Sequence, residues 1–283
     1  MPKSVRFNQY GGIEVLNVIK VERPTAGPGE ILVQVKAAGI NPGEAKIRDG
    51  SLASRFPATF PSGEGSDFAG IIAALGPNVS SFAVGDEVIG FSNSRASHAE
   101  YVVVPADQLT PRPANVSWEA AGALFVAGAT AYAAIQAVAL TRGDTVVVAN
   151  AAGGVGSIVV QLAVHTGAKV IGLASAAHHD WLTAYGVIAV PYGDHVVERI
   201  CEAAGGQIDA FIDTFGANYV EVALELGVQP ERIDTIANFE AVAKYGVKAE
   251  GNSAVASAAV LAELAALISQ GSLSTLNSRS SML

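Results

Sequence analysis

A glycine-rich turn near the middle of the chain has the residue types and the spacing of a phosphate-binding site. The stretch 150–156 reads NAAGGVG, with Ala151, Gly153 and Gly156 spaced as A-x-G-x-x-G. Because glycine has no Cβ, a diphosphate can approach the backbone at Gly153, and Gly156 lets the following helix pack closely on a strand. Free N–H groups at the start of that helix, together with its dipole, bind anions. We therefore assign the binding of a nucleotide diphosphate to the residues of this turn: Ala151, Gly153, Gly154, Val155 and Gly156.

The pattern on either side of the turn supports this assignment. An apolar run at 146–149 precedes the turn, and a helical stripe of apolar residues follows it and ends at Gly167. A second apolar run starts at Val170, so the order is strand, turn, helix and strand, which the right-handed crossover rule makes a parallel unit. Ala151 stands where the usual fingerprint has its first glycine. A tight turn that binds no ligand is the alternative.

The composition excludes several classes of protein. The chain has 283 residues, of which 50% are hydrophobic and 15% charged, so it is not a disordered chain and is long enough for one or two domains. The net charge of −9 argues against a nucleic-acid partner, because non-specific binding to phosphates needs a basic surface. Cys201 is the only cysteine, which excludes an intrachain disulfide and a cysteine-rich zinc site. The helical pattern around Cys201 predicts that it lies in the core.

Two segments were compared with the patterns of a signal peptide and of a membrane span. The N-terminal segment has no apolar h-region, so we predict no signal peptide and a cytoplasmic protein. Residues 120–140 carry no charge, which is typical of a membrane span as well as of a buried helix. Alanine and glycine dominate this segment, and Thr130 and Gln136 lie inside it. We interpret it as a buried helix and predict no membrane partner.

The pattern of apolar runs and turn signals changes near residue 120. Before residue 120, short apolar runs alternate with turn signals, which predicts a mostly antiparallel β domain. From Trp118 onward, helical and strand patterns alternate with about six strands, the last of them at 247–250, which predicts a doubly wound sheet. The predicted fold class is therefore α/β, with a doubly wound Rossmann domain at 121–270 and an antiparallel β domain at 1–120.

Several motifs distributed along the chain carry a resemblance to a known family. They are Gly39-Ile40-Asn41-Pro42, Gly65-Ser66-Asp67-Phe68-Ala69-Gly70, Val84-Gly85-Asp86-Glu87-Val88, Gly128-Ala129-Thr130-Ala131, and the glycine-rich turn with Gln161-Leu162-Ala163. Jointly they resemble the zinc-independent quinone oxidoreductases, the zeta-crystallin-like branch of the medium-chain dehydrogenase/reductase superfamily. The resemblance implies a GroES-like catalytic domain at 1–120 and an NADP-binding domain at 121–270. It also implies a homodimer formed by edge pairing of the nucleotide-domain sheet near 247–250.

The residues at the expected zinc position argue against a metal. Zinc enzymes of this superfamily carry a cysteine where Asn41 stands and a Gly-His-Glu triplet where Gly65-Ser66-Asp67 stands. Serine is not a usual zinc ligand, and the five histidines form no spaced ligand pair apart from the adjacent His178 and His179. We predict no metal site. The resemblance then implies that NADPH transfers a hydride to a quinone or an activated enone.

The same resemblance suggests two catalytic residues. It implies that Asn41 faces the nicotinamide and the active site, and that Thr130 contacts the nicotinamide region. Each has a structural alternative, since Asn41 precedes a proline as turn residues often do, and Thr130 could be a buried hydroxyl bonded to a carbonyl.

The ends of later strands suggest further cofactor contacts. Ligands of doubly wound sheets bind outside the carboxyl ends of the strands. The turns Phe215-Gly216 and Asn238-Phe239 follow two such strands. We therefore assign Phe215, Asn238 and Phe239 to the cofactor site.

The choice of cofactor depends on the end of the second strand. NAD-specific sites usually place an acid there, whereas this chain has no acid from Ser175 until Asp180, which leaves room for a 2′-phosphate and favours NADPH. Ser175 can donate a hydrogen bond to this phosphate, His178 or His179 can add charge, and Tyr192 matches a family tyrosine. Ala177 departs from relatives that carry a basic residue there. His178 and His179 could equally be solvated residues at a helix start.

The substrate is less well specified. Lys46 stands where many relatives have a tyrosine, and no acid or base for a proton step stands out. An enoyl or 2-haloacrylate-type reductase and a non-catalytic NADPH-binding sensor remain alternatives. Relatives continue after Gly271 with a strand, a helix and a closing strand, whereas residues 271–283 form a polar tail. We therefore expect a truncated C-terminus and an incomplete first domain.

Overall fold

The computed structural model describes residues 1–275, and these divide into two compact units. Residues 1–126 and 257–270 form the first unit, and residues 127–256 with the segment from Gly271 form the second. No helix within residues 1–275 is both long and apolar enough to cross a membrane. The predicted tail at 271–283 lies outside the described residues from position 276 onward.

The first unit is built from antiparallel sheets. Its described strands are β1 (Lys3–Phe7), β2 (Asn17–Lys20), β3 (Glu30–Ala37), β4 (Ser62–Gly63), β5 (Asp67–Leu75), β6 (Glu87–Phe91), β7 (Tyr101–Pro105) and β8 (Leu109–Pro111). Five of them form one sheet in the order β7-β3-β5-β6-β8, and β2-β1-β4 form another. Within residues 1–122 its helices are α1 (Pro42–Arg48) and α2 (Trp118–Gly122). The predicted antiparallel β domain is confirmed.

Period-two alternation explains the core of this unit. Ile31 and Val33 on β3, and Val102 and Val104 on β7, are two residues apart and share one buried cluster with Phe68. Each of these five residues is at most 1% exposed. The core therefore forms on one face of the larger sheet, where every second residue of adjacent strands meets.

The second unit is a parallel, doubly wound sheet. Its strands are β9 (Thr145–Ala149), β10 (Lys169–Ala174), β11 (Ile188–Pro191), β12 (Ala210–Asp213) and β13 (Ile233–Thr235), in the order β11-β10-β9-β12-β13. Its helices are α3 (Phe125–Ala137), whose first two residues belong to the first unit, α4 (Gly156–Thr166), α5 (His179–Ala184), α6 (Val196–Ala204), α7 (Tyr219–Glu225) and α8 (Phe239–Tyr245). The strand order reverses its direction of growth at β9, which makes the carboxyl ends of β9 and β12 the expected binding crevice.

The predicted strand at 247–250 was wrong. Only Lys248 pairs with a neighbour, in an isolated parallel bridge to Asp234. The ladder stops there because the next backbone donor, Glu250 N–H, bonds the Asp234 carboxylate at 2.7 Å instead of a strand carbonyl. The described sheet therefore has β13 as its last strand, and the segment that we expected to pair in a homodimer is not a strand.

The predicted core position of Cys201 was also wrong, because Cys201 is exposed. The helix α6 buries Ile200 and Ala204, which lie four positions apart on one face. Cys201 is rotated by about 100° from Ile200 around the helix axis, which places it off that face.

The last helix, α9 (Ala258–Ser269), differs from the expectation in its start and in its packing. We predicted it within the nucleotide-binding domain at 121–270, whereas it packs on β8 and β6 of the first unit. Its N-cap is Ser257, whose hydroxyl accepts the Val260 N–H.

Candidate functional site

Steric constraints shape the glycine-rich turn after β9. Asn150 has a left-handed backbone with φ of 56°. A Cβ on Gly156 would lie 2.1 Å from the Asn150 carbonyl oxygen, so only glycine fits there. A Cβ on Gly153 would lie 2.3 Å from Asn150 Nδ2 and would displace that side chain. The space beside Gly153 thus holds the Asn150 amide, which is a different reason for this glycine from the diphosphate approach that we expected.

Neighbouring strands hold the turn in place. Ala151 N–H donates to the Leu173 carbonyl of β10 at 2.9 Å. On the other side, the Thr214 hydroxyl donates to the Ala149 carbonyl at 2.7 Å. The turn is thus fixed between β10 and the segment after β12, as a binding loop at a switch point requires.

A cavity of about 520 Å³ lies at the carboxyl ends of these strands. Its volume is within the range of small-molecule sites. Its lining residues come from the segments that follow β9, β10, β11 and β12, including the start of α7: Asn150, Ala152, Ser175, His178, Tyr192, Phe215 and Tyr219. Four predicted cofactor residues, Ser175, His178, Tyr192 and Phe215, are therefore brought together. The sequence analysis missed Asn150, Ala152 and Tyr219.

The lining of the cavity carries no acidic side chain. Its polar groups include the hydroxyls of Ser175 and Tyr192 and the imidazole of His178. Burial raises the pKa of the Tyr192 hydroxyl, so it is a neutral donor at physiological pH. His179, in contrast, contacts the Ala174 carbonyl through Nε2 at 3.2 Å. This donor set fits a phosphate group.

The other predicted cofactor residues are not among the residues that line the cavity. Asn238 is the N-cap of α8, where its side-chain oxygen accepts the Ala241 N–H at 3.2 Å, and its Nδ2 donates to the Ala217 carbonyl at 3.0 Å. Phe239 is the first residue of α8 and is half-buried. Within the turn, Gly154 is exposed, whereas Ala151 and Gly156 are buried.

A buried pair ties the turn after β12 to the turn after β13. Asp213 Oδ1 accepts the N–H groups of Phe215 and Gly216 at 2.9 and 2.8 Å, and its Oδ2 accepts the Thr235 hydroxyl at 2.8 Å. Thr235 Oγ1 in turn accepts the Asn238 N–H at 3.0 Å. Burial raises the pKa of Asp213, against the lowering effect of the N–H groups. The signal for this pair in the sequence is an acid that ends an apolar strand run, Asp213 after Phe211 and Ile212.

The first unit contains a second polar cluster around Asn41, the N-cap of α1. Asn41 Nδ2 donates to Asp67 Oδ2 at 2.8 Å and to Glu44 Oε1 at 3.2 Å, and the Asn41 backbone N–H donates to Glu44 Oε2 at 2.8 Å. Glu44 Oε1 also accepts the Ser66 N–H at 3.1 Å, and Asp67 Oδ1 accepts the Val126 N–H at 2.6 Å. Asn41 is half-buried, whereas Asp67 is 0% exposed.

Charged groups extend this cluster toward Arg48. His98 contacts the Gly39 carbonyl through Nε2 at 2.7 Å, and its ring lies 3.9 Å from both Glu44 and Glu64. Arg48 pairs with Glu64. Burial lowers the pKa of His98, but the contacts with Glu64, Gly39 and Glu44 outweigh it and raise the pKa overall. Burial also raises the pKa of Glu44 and raises that of Asp67 to about 7.

The remaining predicted residues have simpler surroundings. Thr130 is 6% exposed and lies in α3. Lys46 is exposed on α1. Within residues 1–275, no group of three His, Cys, Asp or Glu side chains is placed to hold a metal ion.

Comparisons with curated proteins identify relatives over most of the chain. The family model for the alcohol dehydrogenase GroES-like domain matches residues 27–114. Quinone oxidoreductase of Mus musculus is 37% identical over 62% of this chain and 53% of the relative. Quinone oxidoreductase 1 of Escherichia coli K12 is 31% identical over 80% of this chain and 69% of the relative. 2-Methylene-furan-3-one reductase of Solanum lycopersicum is 32% identical over 67% of this chain and 52% of the relative. The matched region thus spans between half and just over two thirds of these proteins.

Solved structures agree with this relationship over the whole fold. The Escherichia coli quinone oxidoreductase complexed with NADPH has a TM-score of 0.84 at 27% identity, covering 96% of this chain and 89% of that one. The quinone oxidoreductase of Coxiella burnetii has a TM-score of 0.85 at 29% identity, covering 96% and 89%.

We predict that Thr235→Val weakens the second unit and its cofactor site together. The valine removes the donor to Asp213 and the acceptor for Asn238 N–H, which leaves buried polar groups without partners and costs about 1–3 kcal/mol of unfolding free energy. Urea unfolding measures the loss, and a fluorescence titration with NADPH should show a higher Kd. Thr166→Val is the matched control, because Thr166 bonds only its own helix, at the Ala163 carbonyl. An unchanged Kd in Thr235→Val would contradict the assigned role.

We also predict that the raised pKa of Asp67 makes the protein less stable as the pH rises toward 7. The folded pKa of about 7 lies above the ordinary value of 3.8, so the stabilising contribution is complete below the ordinary value and is lost as the pH passes through about 7. Asp67→Asn cannot ionise. The unfolding free energy of the native chain relative to Asp67→Asn should fall by about 2 kcal/mol between pH 5 and pH 7, at about 1.4 kcal/mol per pKa unit. A pH-independent difference between the two proteins would refute the raised pKa.

Proposed function

Because the chain belongs to the quinone oxidoreductase-like group of the medium-chain dehydrogenase/reductase superfamily, we propose that it is a nicotinamide-dependent oxidoreductase that uses NADPH to reduce quinones. The observation that carries the proposal is the acid-free cavity at the carboxyl ends of β9, β10 and β12, beside the glycine-rich turn. A parallel sheet binds dinucleotides at this position. The NADPH complex of the Escherichia coli relative supports the choice of cofactor.

In this proposal the chain's own residues bind and orient the cofactor. The turn from Ala151 to Gly156 holds the diphosphate, while Ser175, His178 and Tyr192 bind the 2′-phosphate. Phe215, Asn238 and Phe239 lie in the turns that the Asp213–Thr235 pair fixes, and they position the other end of the dinucleotide. When bound, the cofactor supplies the hydride, and the protein supplies position and electrostatics.

We further propose that the reaction needs no zinc. The positions that hold cysteine and histidine in zinc enzymes hold Asn41 and Ser66 here. An asparagine amide and a serine hydroxyl are not usual zinc ligands. Asn41 and Thr130 remain our candidates for contact with the reacting groups. A homodimer and a cytoplasmic location remain predictions.

Reduction of an activated enone is the second candidate. The 2-methylene-furan-3-one reductase of Solanum lycopersicum is 32% identical over 67% of this chain. A conjugated enone and a quinone both accept a hydride and both develop negative charge on a carbonyl oxygen, so one site can serve either. Turnover of the two substrate classes distinguishes the candidates.

The test is NADPH oxidation with a polycyclic ortho-quinone or a 2-methylene furanone as acceptor, with NADH in parallel. We expect turnover with NADPH to exceed that with NADH. Ser175→Asp should lower kcat/KM for NADPH at least about tenfold through repulsion of the 2′-phosphate, a change of about 1.4 kcal/mol, and should spare NADH. Ser81→Asp, on an exposed loop of the first unit, is the control for added charge.

Two other outcomes would change the proposal. Equal effects of Ser175→Asp on both cofactors would remove the assigned phosphate site. Binding of NADPH without turnover of either acceptor class would favour a nucleotide-binding protein without catalysis.

A further inference from the structure

The side-chain amide of Asn41 has both of its N–H groups occupied by buried carboxyl groups. One N–H donates to Asp67 Oδ2 at 2.8 Å and the other to Glu44 Oε1 at 3.2 Å. Asp67 is 0% exposed and Glu44 is 7% exposed, so neither acid can turn toward solvent. A primary amide has two donors and one carbonyl oxygen. The donor capacity of Asn41 is therefore fully used inside the protein.

The surroundings also fix which way the amide points. Rotation by 180° would place Oδ1 against Glu44 Oε1 and Asp67 Oδ2. A proton on Asp67 would relieve only one of these contacts. Both oxygens of Glu44 already accept backbone N–H groups, from Asn41 at 2.8 Å and from Ser66 at 3.1 Å, so Glu44 is held as an acceptor. The reversed orientation would need protons on both acids at once.

Backbone contacts hold the two acids in turn. Asp67 Oδ1 accepts the Val126 N–H at 2.6 Å, in the first turn of α3. Glu44 forms a capping box with Asn41 at the start of α1, in which Asn41 Oδ1 faces the Glu44 backbone N–H as its acceptor and the Glu44 side chain accepts the Asn41 N–H. Neither carboxyl can move away from Asn41 without breaking a helix-terminal hydrogen bond. Glu44 and Asp67 are thus placed to act as positioning residues for Asn41.

We propose that Asn41 offers its ligand a hydrogen-bond acceptor, through the lone pair of Oδ1 that the capping box leaves unused, and no donor. This inference rests on the proposed function, in which Asn41 meets the reacting groups, and it specifies the chemistry of that contact. The group that Asn41 recognises carries a donor, such as a hydroxyl or an amide N–H. Asn41 therefore orients a donor-bearing part of the cofactor or substrate. It does not stabilise negative charge on the carbonyl oxygen of a quinone or enone.

An exchange of residues tests the polarity of Asn41 directly. In the double variant N41D/D67N, the amide introduced at position 67 can keep its oxygen for the Val126 N–H and donate an N–H to the carboxylate introduced at position 41. The hydrogen bond between the two positions is then reversed, and position 41 still presents an acceptor. The single variant N41D places a third carboxyl beside Glu44 and Asp67, whereas D67N sets two amide donors against each other or reverses Asn41.

We expect N41D and D67N each to lower kcat/KM by at least about tenfold. The double variant should exceed both single variants by about tenfold, because it restores an outward acceptor. Both N41D and the double variant lose the hydrogen bond from the Asn41 amide to Glu44. A difference in kcat/KM between these two variants therefore reports the change at position 67 alone. D86N is the matched control, since the exposed Asp86 also accepts a backbone N–H, from Ala83. A folded double variant that is no better than the single variants would overturn the proposal, as would single variants with unchanged kcat/KM.

If the double variant does not fold, hydrogen exchange of the Asn41 side-chain amide tests the proposal without a measurement of turnover. The side-chain amide signal of Asn41 in a ¹⁵N–¹H spectrum, assigned by its loss in N41D, should exchange with water far more slowly than that of the exposed Asn78. Exchange as fast as that of Asn78 would overturn the proposal. Failure of the native chain to oxidise NADPH or NADH with any quinone or enone would instead refute the proposed function. In that case, slow exchange of Asn41 would still support the occupied donors.

Discussion

Buried carboxyl groups that accept backbone N–H groups organise the turns in both units. Asp213 and Asp67 are each 0% exposed, and each ends or begins a strand whose other residues are apolar. Burial of a carboxyl is costly unless its oxygens have partners. Asp213 meets this requirement with the Phe215 and Gly216 N–H groups, and Asp67 with the Val126 N–H and the Asn41 amide. The same hydrogen bonds that make burial tolerable therefore dictate the path of the chain next to each strand.

In the second unit this requirement has a direct consequence for ligand binding. The strand order reverses at β9, so the turns after β9, β10, β11 and β12 gather around one cavity. The Asp213–Thr235 pair fixes the turns after β12 and β13 relative to each other. Steric exclusion at Gly153 and Gly156 shapes the turn after β9. The residues that line this cavity include no acidic side chain, which is the feature on which our proposal of a phosphate ligand depends.

In the first unit the same physics limits the chemistry that Asn41 can perform. An amide can donate and accept, and exposure alone would leave both capacities available. The two buried acids remove the donor capacity. This occupancy is the basis of our proposal that Asn41 orients its ligand through Oδ1 and does not donate to a developing oxyanion. The raised pKa of Asp67 follows from the same burial.

The sequence by itself determined the features that depend on neighbours along the chain. The continuous apolar runs, the helical period and the glycines at 153, 156 and 167 predicted β9, α4 and β10 closely, because apolar runs, helix periodicity and the positive φ of a helix-ending glycine are local properties. The family motifs predicted the two-unit α/β architecture.

Tertiary structure alone decided what depends on contacts between distant segments. In the folded chain α9 packs against β8 and β6, and Cys201 is exposed. Strand pairing does not continue through 247–250, because the Glu250 N–H bonds the Asp234 carboxylate. The fold also brings Tyr219 to the cavity. The polarity of Asn41 belongs to this group, because Glu44 is its neighbour in sequence but Asp67 lies on β5, 26 residues further along the chain. The type of a side chain can be read from the sequence, whereas the partners of its hydrogen bonds depend on which distant segments the tertiary fold brings next to it.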